Sequence, residues 1–380
     1  MQTNSNETVF SDSKKHYEIL DGLRGVAAVM VVVFHLFETF SGNDHVKQII
    51  NHGYLCVDFF FLLSGFVIGY AYDDRWGQMS MWDFFKRRLI RLHPMIIMGM
   101  IVGAMLFYYG DFVGTASVVF PNMPNIQVWK VVLTMLVGFT LIPLPLSVDI
   151  RGWQEMHPLD GPAWSLFFEY VGNILYALFV RKFSNTLLGI LVFISGCALI
   201  HLAVTSPNGD VIGGWSLDPT QFKIGLTRLM FPFFGGLLLS RLCKPTSIKN
   251  SFLTSSLLLI AVISFPRVGG YDHKWFNGLY DSLSIILLFP LVVYIGASGE
   301  VKGEISSKIC KFLGDISYPI YITHYPLIYI YTAWIVDKHI PMSDGWPMGV
   351  ALLITSILLA YACLKFYDIP VRKWLVEKIV

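Results

Sequence analysis

Apolar runs long enough to cross a bilayer recur along this 380-residue chain. A spanning helix needs about 20 apolar residues, and in lipid every backbone polar group must be satisfied within the protein. Apolar residues make up 54% of the chain and charged residues only 14%, which excludes an ordinary soluble domain. We therefore predict an all-α, polytopic integral membrane helical bundle with about 10–11 transmembrane helices. The predicted spans are 22–40, 54–72, 94–110, 127–146, 163–182, 186–205, 223–241, 250–266, 278–298, 313–336 and 347–367.

Basic residues predict the orientation of the bundle. A lysine pair at 14–15 precedes the first span, three basic residues at 86–88 follow the second, and Arg372 lies near the C-terminus. Because Lys and Arg are enriched in cytoplasmic loops, we expect a multi-pass plasma (inner) membrane protein with both termini in the cytoplasm. The expected organisation is a polar cytoplasmic N-terminus over 1–18 without a cleavable signal, one transmembrane domain over 19–370 and a cytoplasmic tail over 371–380.

One stretch conflicts with a simple alternation of crossings. If both 94–110 and 127–146 cross the membrane, the following loop 147–162 is cytoplasmic, against the charge bias. Three crossings between 93 and 147, or one crossing with a re-entrant segment, remove the conflict. We expect the irregularity at 111–126 and the loop 147–162 outside.

Arg24 and His35 are two polar side chains within the first apolar stretch. Eleven residues apart on a helix, they share one face at a separation of roughly 16 Å. Ionisable groups at bilayer depth are costly and mark functional sites. His35 is a candidate general base, although a neighbouring helix could simply satisfy it. Arg24 could hold an anion, pair with a carboxylate or meet lipid headgroups.

Polar residues of the second span allow two interpretations each. Asp58 either orients His35 or is a helix-start residue at the interface. Ser64 next to Gly65 indicates a close helix contact more than a nucleophilic serine.

Arg228 and Asp281 are further charged residues within predicted spans. They are either a structural pair with each other or substrate contacts.

Arg88 and Arg91 lie on an amphipathic segment before Pro94. Three residues apart, they share one side of a helix. The segment is either an ordinary positive-inside anchor or a phosphate clamp, because guanidinium groups match phosphate oxygens.

Two later segments also place polar groups on one helix face. Ser165 and Glu169 are four residues apart on an apolar helix, and Glu169 should face the bundle interior, for structure or for chemistry. Ser317, Tyr321 and His324 share a face in a segment where two prolines free backbone carbonyls, as is tolerated around a cavity. The five cysteines have no metal-like spacing, so we expect buried small hydrophobes and no metal.

Taken together, these runs resemble the membrane acyltransferase-3 family. The resemblance spans nearly the whole chain in family order. It rests on Leu-Asp-Gly-Leu-Arg-Gly at 20–25 with His35, Asp58 with Ser64-Gly65-Phe66, Arg88 and Arg91 before Pro94, Trp164-Ser165-Leu166 with Glu169, Ser317-Tyr318-Pro319 with Tyr321 and His324, and Asp368 with Pro370, Arg372 and Trp374.

The resemblance implies an enzyme that moves an acyl group, commonly acetyl, from cytoplasmic acyl-coenzyme A to a hydroxyl. The family's essential arginine and histidine correspond to Arg24 and His35, its arginine pair to Arg88 and Arg91, and its glutamate to Glu169. On this interpretation the catalytic residues are His35 as the base, Arg24 and Glu169. Arg88, Arg91 and again Arg24 bind the co-substrate acetyl-CoA. Asp58, Ser165, Ser317, Tyr321 and His324 are expected to support or contact the substrate.

The acceptor is the least determined part of this prediction. Cell-surface or lipid-linked glycans are frequent acceptors in the family, and peptidoglycan, macrolides and lipids also occur. Some members carry an extracytoplasmic hydrolase-like domain, which this sequence does not show, so we expect direct transfer or an unseen partner. Membrane lipid is an expected partner. Nucleic acid is not expected, because the net charge of the chain is only +2. The oligomeric state stays open. A secondary transporter is the rival class, but the inverted repeats typical of transporters are not detected.

Overall fold

The computed structural model describes residue 14 and residues 16–42, 44–109 and 119–379. Within these ranges every regular element is a helix, as predicted for an all-α bundle. The helices are α1 (Glu18–Glu38), α2 (Cys56–Tyr72), α3 (Met81–Phe107), α4 (Val128–Gly138), α5 (Ala163–Leu178), α6 (Asn185–Thr205), α7 (Pro219–Leu242), α8 (Ser251–Ser264), α9 (Trp275–Leu283), α10 (Phe289–Ala297), α11 (Glu304–Thr323), α12 (Tyr325–Asp337), α13 (Met342–Cys363) and α14 (Ile369–Ile379).

Seven helical stretches in the described ranges have the length and apolar composition needed to cross a membrane. They confirm a polytopic membrane protein. The seven are Glu18–Glu38, Gly53–Tyr72, Met81–Phe107, Asn185–Thr205, Pro219–Leu242, Trp275–Ala297 and Met342–Ile379.

The other predicted spans are shorter or interrupted. The helix in the predicted span 127–146 is α4, whose 11 residues rise only about 16 Å, well short of a hydrocarbon core. The predicted span 313–336 is divided between α11 and α12 at His324. Part of the expected irregularity at 111–126, namely 111–118, lies outside the described residues.

Helix α3 corrects the predicted boundary at Pro94. The amphipathic segment and the span 94–110 were expected to be separate, but one helix of 27 residues runs from Met81 to Phe107 through the proline. Ser80 starts it with a capping box, since Ser80 and Asp83 bond each other's backbone N–H groups. The helix continues past Pro94 because, in an apolar setting, an irregular backbone with several unpaired polar groups costs more free energy than the one hydrogen bond that proline removes.

Two π-helical segments precede prolines. Residues 284–288 come just before Pro290 in α10, and residues 364–368 come just before Pro370 in α14. Proline has no N–H and collides with the carbonyl four residues earlier, so a locally widened turn relieves the clash. The second segment carries Asp368 into the bundle, where it is buried.

Close helix pairs hold the centre of the bundle together. Helix α2 packs on α7, and α1 packs on α11. A Cβ atom at Gly65 would overlap the Phe233 carbonyl of α7, and one at Gly25 would overlap the Leu313 carbonyl of α11. Glycines therefore allow close contact of the helices at these two interfaces, as was predicted for Ser64-Gly65.

The loop between α4 and α5 folds into the bundle instead of lying over it. Its Arg151, Glu155, His157 and Asp160 are all less than 9% exposed. Arg151 stacks its guanidinium on the Tyr329 ring at 3.7 Å and donates to the Pro158 carbonyl at 2.6 Å. The sequence analysis placed this loop outside and did not anticipate that its charged residues are buried.

Candidate active site

A cavity of about 410 Å³ lies between α1, α2, α3, α5, α11 and the segment that leads into α14. Its lining is charged at one end and mainly aromatic and aliphatic at the other. Lys311 lines the charged end with a side chain that is 78% exposed, so this end opens to the surface. It lies on the side of the bundle where α1 begins and α14 ends.

Three arginines converge at the open end. Arg24 pairs with Asp21 at 2.7 Å, and Arg372 pairs with Asp368 at 2.6 Å. Arg91 is exposed to the cavity, lies within electrostatic range of both other arginines, and makes no hydrogen bond or ion pair with any described residue. A cluster of cations with one unpaired member is suited to a polyanion such as a phosphate group.

Arg88 does not share the setting of Arg91. Its side chain is only 5% exposed, and its Nη2 donates to Glu169 Oε1 at 2.5 Å. Ser64 Oγ donates to the same oxygen at 2.6 Å. The structure therefore joins two residues that the sequence analysis assigned to different roles, and it adds Ser64, which had been interpreted as a packing residue.

Ser165 and Tyr321 close the other end of the cavity. Their hydroxyl groups are 2.7 Å apart, and Ser165 Oγ also donates to the Pro162 carbonyl at 2.9 Å. Phe60 packs edge-on against the Tyr321 ring with centroids 5.2 Å apart. Ser317 lines the cavity too, but its hydroxyl donates to the Gly314 carbonyl of its own helix at 2.7 Å.

His35 lies beyond this closed end. Its ring stacks on that of His324 with centroids 5.7 Å apart, and His324 in turn lies 6.2 Å from the Tyr321 ring. His35 is outside the cavity lining, so Tyr321 and His324 stand between the cavity and His35. The structure thus places Arg24 in the cavity lining and His35 outside it.

Glu38 is a partner of His35 that the sequence analysis missed. His35 Nδ1 lies 2.7 Å from Glu38 Oε2, so Nδ1 donates to the carboxylate and Nε2 is left as the acceptor. Glu38 is 41% exposed, on the side of His35 away from the cavity. The signal was available, because residues three apart on a helix are neighbours.

Asp58 is engaged elsewhere than the sequence analysis allowed. Its carboxylate accepts from Arg228 at 2.6 and 3.2 Å, and both side chains are buried. The interpretation of Asp58 as the partner of His35 is therefore wrong. The pairing of Arg228 with Asp281 is wrong as well, because Asp281 instead accepts from the Tyr54 hydroxyl at 2.9 Å.

Residues 17–365 match the acyltransferase domain of the acyltransferase-3 family. The chain belongs to this family. It is 24% identical to the O-acetyltransferase OatA of Staphylococcus aureus (strain NCTC 8325 / PS 47) over 95% of its length and 58% of that relative. It is 33% identical to protein 2 in the picA locus of Rhizobium radiobacter over 43% of its length and 82% of that relative.

The coverage of these relatives is unequal. A putative O-acetyltransferase of S. aureus (strain COL) is 24% identical over 93% of this chain, but the match covers 57% of that protein. The chain thus spans less than two thirds of the length of the staphylococcal O-acetyltransferases that it resembles. No solved structure matches the chain.

Proposed function

We propose that this protein is a membrane O-acyltransferase that moves an acyl group, acetyl in the simplest case, from cytoplasmic acyl-CoA to a hydroxyl of a cell-surface or lipid-linked glycan. One observation carries the proposal: the cavity leads from the unpaired Arg91 to Tyr321, next to the His35–His324 pair. Family membership and the O-acetyltransferase relatives support it.

The donor binds at the open end. Phosphate groups of acetyl-CoA contact Arg91, with Arg24 and Arg372 at the rim, because clustered guanidinium groups match several phosphate oxygens at once. The narrow pantetheine arm then lies along the cavity toward Ser165 and Tyr321. Arg88 holds Glu169 in the wall through Nη2, so we assign it to positioning Glu169 and assign phosphate binding to Arg91.

Transfer takes place where the thioester meets His35. His35 Nε2 removes the proton from the acceptor hydroxyl as its oxygen attacks the thioester carbonyl carbon. The carbon–sulfur bond breaks, and the coenzyme A thiolate takes the proton from the imidazolium, leaving an ester and free coenzyme A. Glu38 keeps Nδ1 protonated and stabilises the imidazolium while it exists, as the carboxylate of a triad does.

Donor and acceptor approach from opposite sides in this scheme. The donor cavity opens on the side where α1 begins and α14 ends, and Glu38 is exposed beyond His35. In the proposed orientation both termini lie on the cytoplasmic side of the inner membrane. Acyl-CoA then enters from the cytoplasm, and the acceptor enters from outside. The structure then needs movement of Tyr321 or His324 to let the thioester reach His35.

The test is acetyl transfer by purified protein in liposomes that contain extracted membrane glycolipids. Radiolabelled acetyl-CoA should give labelled glycolipid and one free coenzyme A per ester formed, and His35→Ala should abolish both. His201→Ala is the matched control, because His201 is an exposed histidine on α6. Uptake of a labelled solute without release of coenzyme A would instead identify a transporter, and label retained on His35 would identify an acyl-enzyme route.

A further inference from the structure

Glu169 has one carboxylate oxygen that receives no hydrogen bond from the described residues. Arg88 Nη2 at 2.5 Å and Ser64 Oγ at 2.6 Å both donate to Oε1, and neither they nor any other described residue donates to Oε2. The side chain lines the cavity and is 16% exposed, so a ligand in the cavity can reach the carboxylate. A carboxylate only accepts hydrogen bonds, so the group that meets Oε2 must be an N–H or an O–H.

Two helices fix the position of Glu169 along the cavity. Ser165 and Glu169 both line it and are four residues apart on α5, so Glu169 lies one turn, about 6 Å, from the closed end. Helix α2 repeats this spacing, because Phe60 packs on Tyr321 at the closed end and Ser64, four residues later, bonds to Glu169. Glu169 therefore lies one helical turn from the closed end, on the side of the opening.

The cavity is as long as the pantetheine arm of coenzyme A. Helix α11 lines it from Lys311 at the open end to Tyr321 at the closed end, and ten residues of helix rise about 15 Å. The arm joins the sulfur to the phosphate groups through about a dozen covalent bonds, on the order of 15 Å when extended. An arm with its phosphates at the open end therefore brings its thioester to the closed end.

This placement brings an amide of the arm to Glu169. In acetyl-CoA the sulfur and two CH₂ groups separate the thioester carbonyl carbon from the N–H of the cysteamine amide, a span of about 5 Å. With the thioester at Ser165 and Tyr321, the N–H lies about one helical turn toward the opening, at the level of Glu169. An amide N–H and a carboxylate oxygen form a charge-assisted hydrogen bond.

We propose that Glu169 binds the donor arm: Oε2 accepts a hydrogen bond from the cysteamine N–H of acyl-CoA and so holds the thioester at the closed end. This deepens the proposed function and rests on it. Arg88 and Ser64 are positioning residues, because they hold Oε1 and thereby orient Oε2. The closed end separates Glu169 from His35, so the role of Glu169 is binding and not proton transfer. A thioester without an N–H two carbons from its sulfur is then a poor donor.

The test compares acetyl-CoA with the analogue in which one oxygen atom replaces the cysteamine N–H. The two ligands have the same phosphates, length and thioester. Each is used to displace radiolabelled acetyl-CoA from the full-length protein in lipid nanodiscs. Wild type should bind the analogue about 10-fold or more weakly, as expected for the loss of one hydrogen bond to a charged group. This comparison uses wild type alone, so it does not depend on the folding of a variant.

Three variants locate the effect. Glu169→Gln keeps one oxygen for Arg88 and Ser64 and turns an NH₂ group to the cavity, so acetyl-CoA affinity should fall about 10-fold and the two ligands should bind within about twofold of each other. Glu304→Gln is the matched control, because Glu304 is 80% exposed and does not line the cavity, and it should behave as wild type. Arg91→Ala should weaken both ligands equally and keep the preference, since both carry the phosphates.

Kinetics of acetyl transfer separate binding from catalysis. Glu169→Gln should raise KM for acetyl-CoA about 10-fold and leave kcat within about threefold, the pattern of a lost binding contact. A fall in kcat at unchanged KM would assign Glu169 to the chemical step and would overturn the inference.

The remaining outcomes also decide between the two proposals. Equal affinity of wild type for acetyl-CoA and its oxygen analogue overturns the contact with Glu169 and leaves the acyltransferase proposal intact. A Glu169→Gln protein that loses affinity for both ligands equally and keeps the preference also overturns the contact, because Glu169 then acts only by holding Arg88. Absence of acetyl-CoA binding in wild type overturns the proposed function itself.

Discussion

Arg88 of α3 and Glu169 of α5 form an ion pair with 2.5 Å between Nη2 and Oε1. The pair joins two helices in the wall of the cavity. It also separates the roles of the two arginines that the sequence presents as one motif, because Arg91, one turn away, has no such partner among the residues that the structure describes.

The two arginines should therefore respond differently to substitution. Arg88→Ala leaves the carboxylate of Glu169 poorly paired in a largely buried site, which costs about 3–5 kcal/mol of unfolding free energy. Arg91→Ala should leave stability unchanged and raise KM for acetyl-CoA about 10-fold or more, as expected for one lost charge-assisted bond. Thermal unfolding in detergent and initial-rate kinetics measure the two effects. If Arg88→Ala and Arg91→Ala changed KM equally and unfolded at the same temperature, the two arginines would not have separate roles.

Replacing Glu38 tests the dyad with His35. Glu38→Gln keeps a hydrogen-bond acceptor but removes the charge that stabilises the imidazolium, so kcat should fall about 10- to 100-fold with KM for acetyl-CoA unchanged. His35→Ala should lower kcat further, by about 10²- to 10⁴-fold. A Glu38→Gln enzyme that loses donor affinity and keeps kcat would show that the carboxylate only supports the fold.

The Asp58–Arg228 pair should behave as a structural unit. Either single change, Asp58→Leu or Arg228→Met, leaves an uncompensated buried charge and should cost about 3–5 kcal/mol. The double variant removes both charges and should recover most of that loss, because a buried ion pair adds little over apolar packing. Unfolding temperatures of the four proteins in one detergent give the coupling. Additive single effects would rule the pair out as a unit.

Glu155 predicts a pH dependence of stability. Burial raises the pKa of this loop residue to about 7 from 4.5, against opposing effects of the Tyr329 hydrogen bond and of Arg151, with Asp149 adding to the rise. Between these pH values the folded state holds a proton on Glu155 that the unfolded state releases, so the contribution of Glu155 to stability is fully present below pH 4.5 and is lost as pH rises to 7.

The measurement is the difference between wild type and Glu155→Gln at each pH. Wild type should lose on the order of 3 kcal/mol relative to the variant between pH 4.5 and 7, at 1.36 kcal/mol per pKa unit. Parallel stability curves for the two proteins across this range would show that Glu155 titrates normally.

Glycine substitutions should separate packing from loop positions. Gly65→Ala places a methyl group on the Phe233 carbonyl, so α2 and α7 must move apart and folded protein should be lost or strongly destabilised. Gly77→Ala is the matched control, because no atom of the described residues lies within 4 Å of its Cβ position. The yield of monodisperse protein in detergent gives the comparison, and equal yields would contradict the close packing.

Relations within one helix could be predicted from the sequence, and relations between helices could not. The 3.6-residue period gave the polar face of Ser165 and Glu169, and both line the cavity. Asp58 and Arg228 are 170 residues apart, and their pairing depends on which helices become neighbours. The burial of Asp160 depends on how the loop before α5 folds, and loop conformations have no periodic signal.

The closure formed by Ser165 and Tyr321 has a consequence for the membrane as a barrier. A route for acyl groups that ran open from the cytoplasm to the outside would also conduct water and protons, and would drain the gradient across the membrane. The direct hydroxyl–hydroxyl bond at 2.7 Å leaves no water-filled gap between Ser165 and Tyr321, and the His35–His324 rings stack behind it, within the part of the chain that the structure describes. On the proposed function, acyl groups would therefore pass one at a time through a closed point instead of an open aqueous pore.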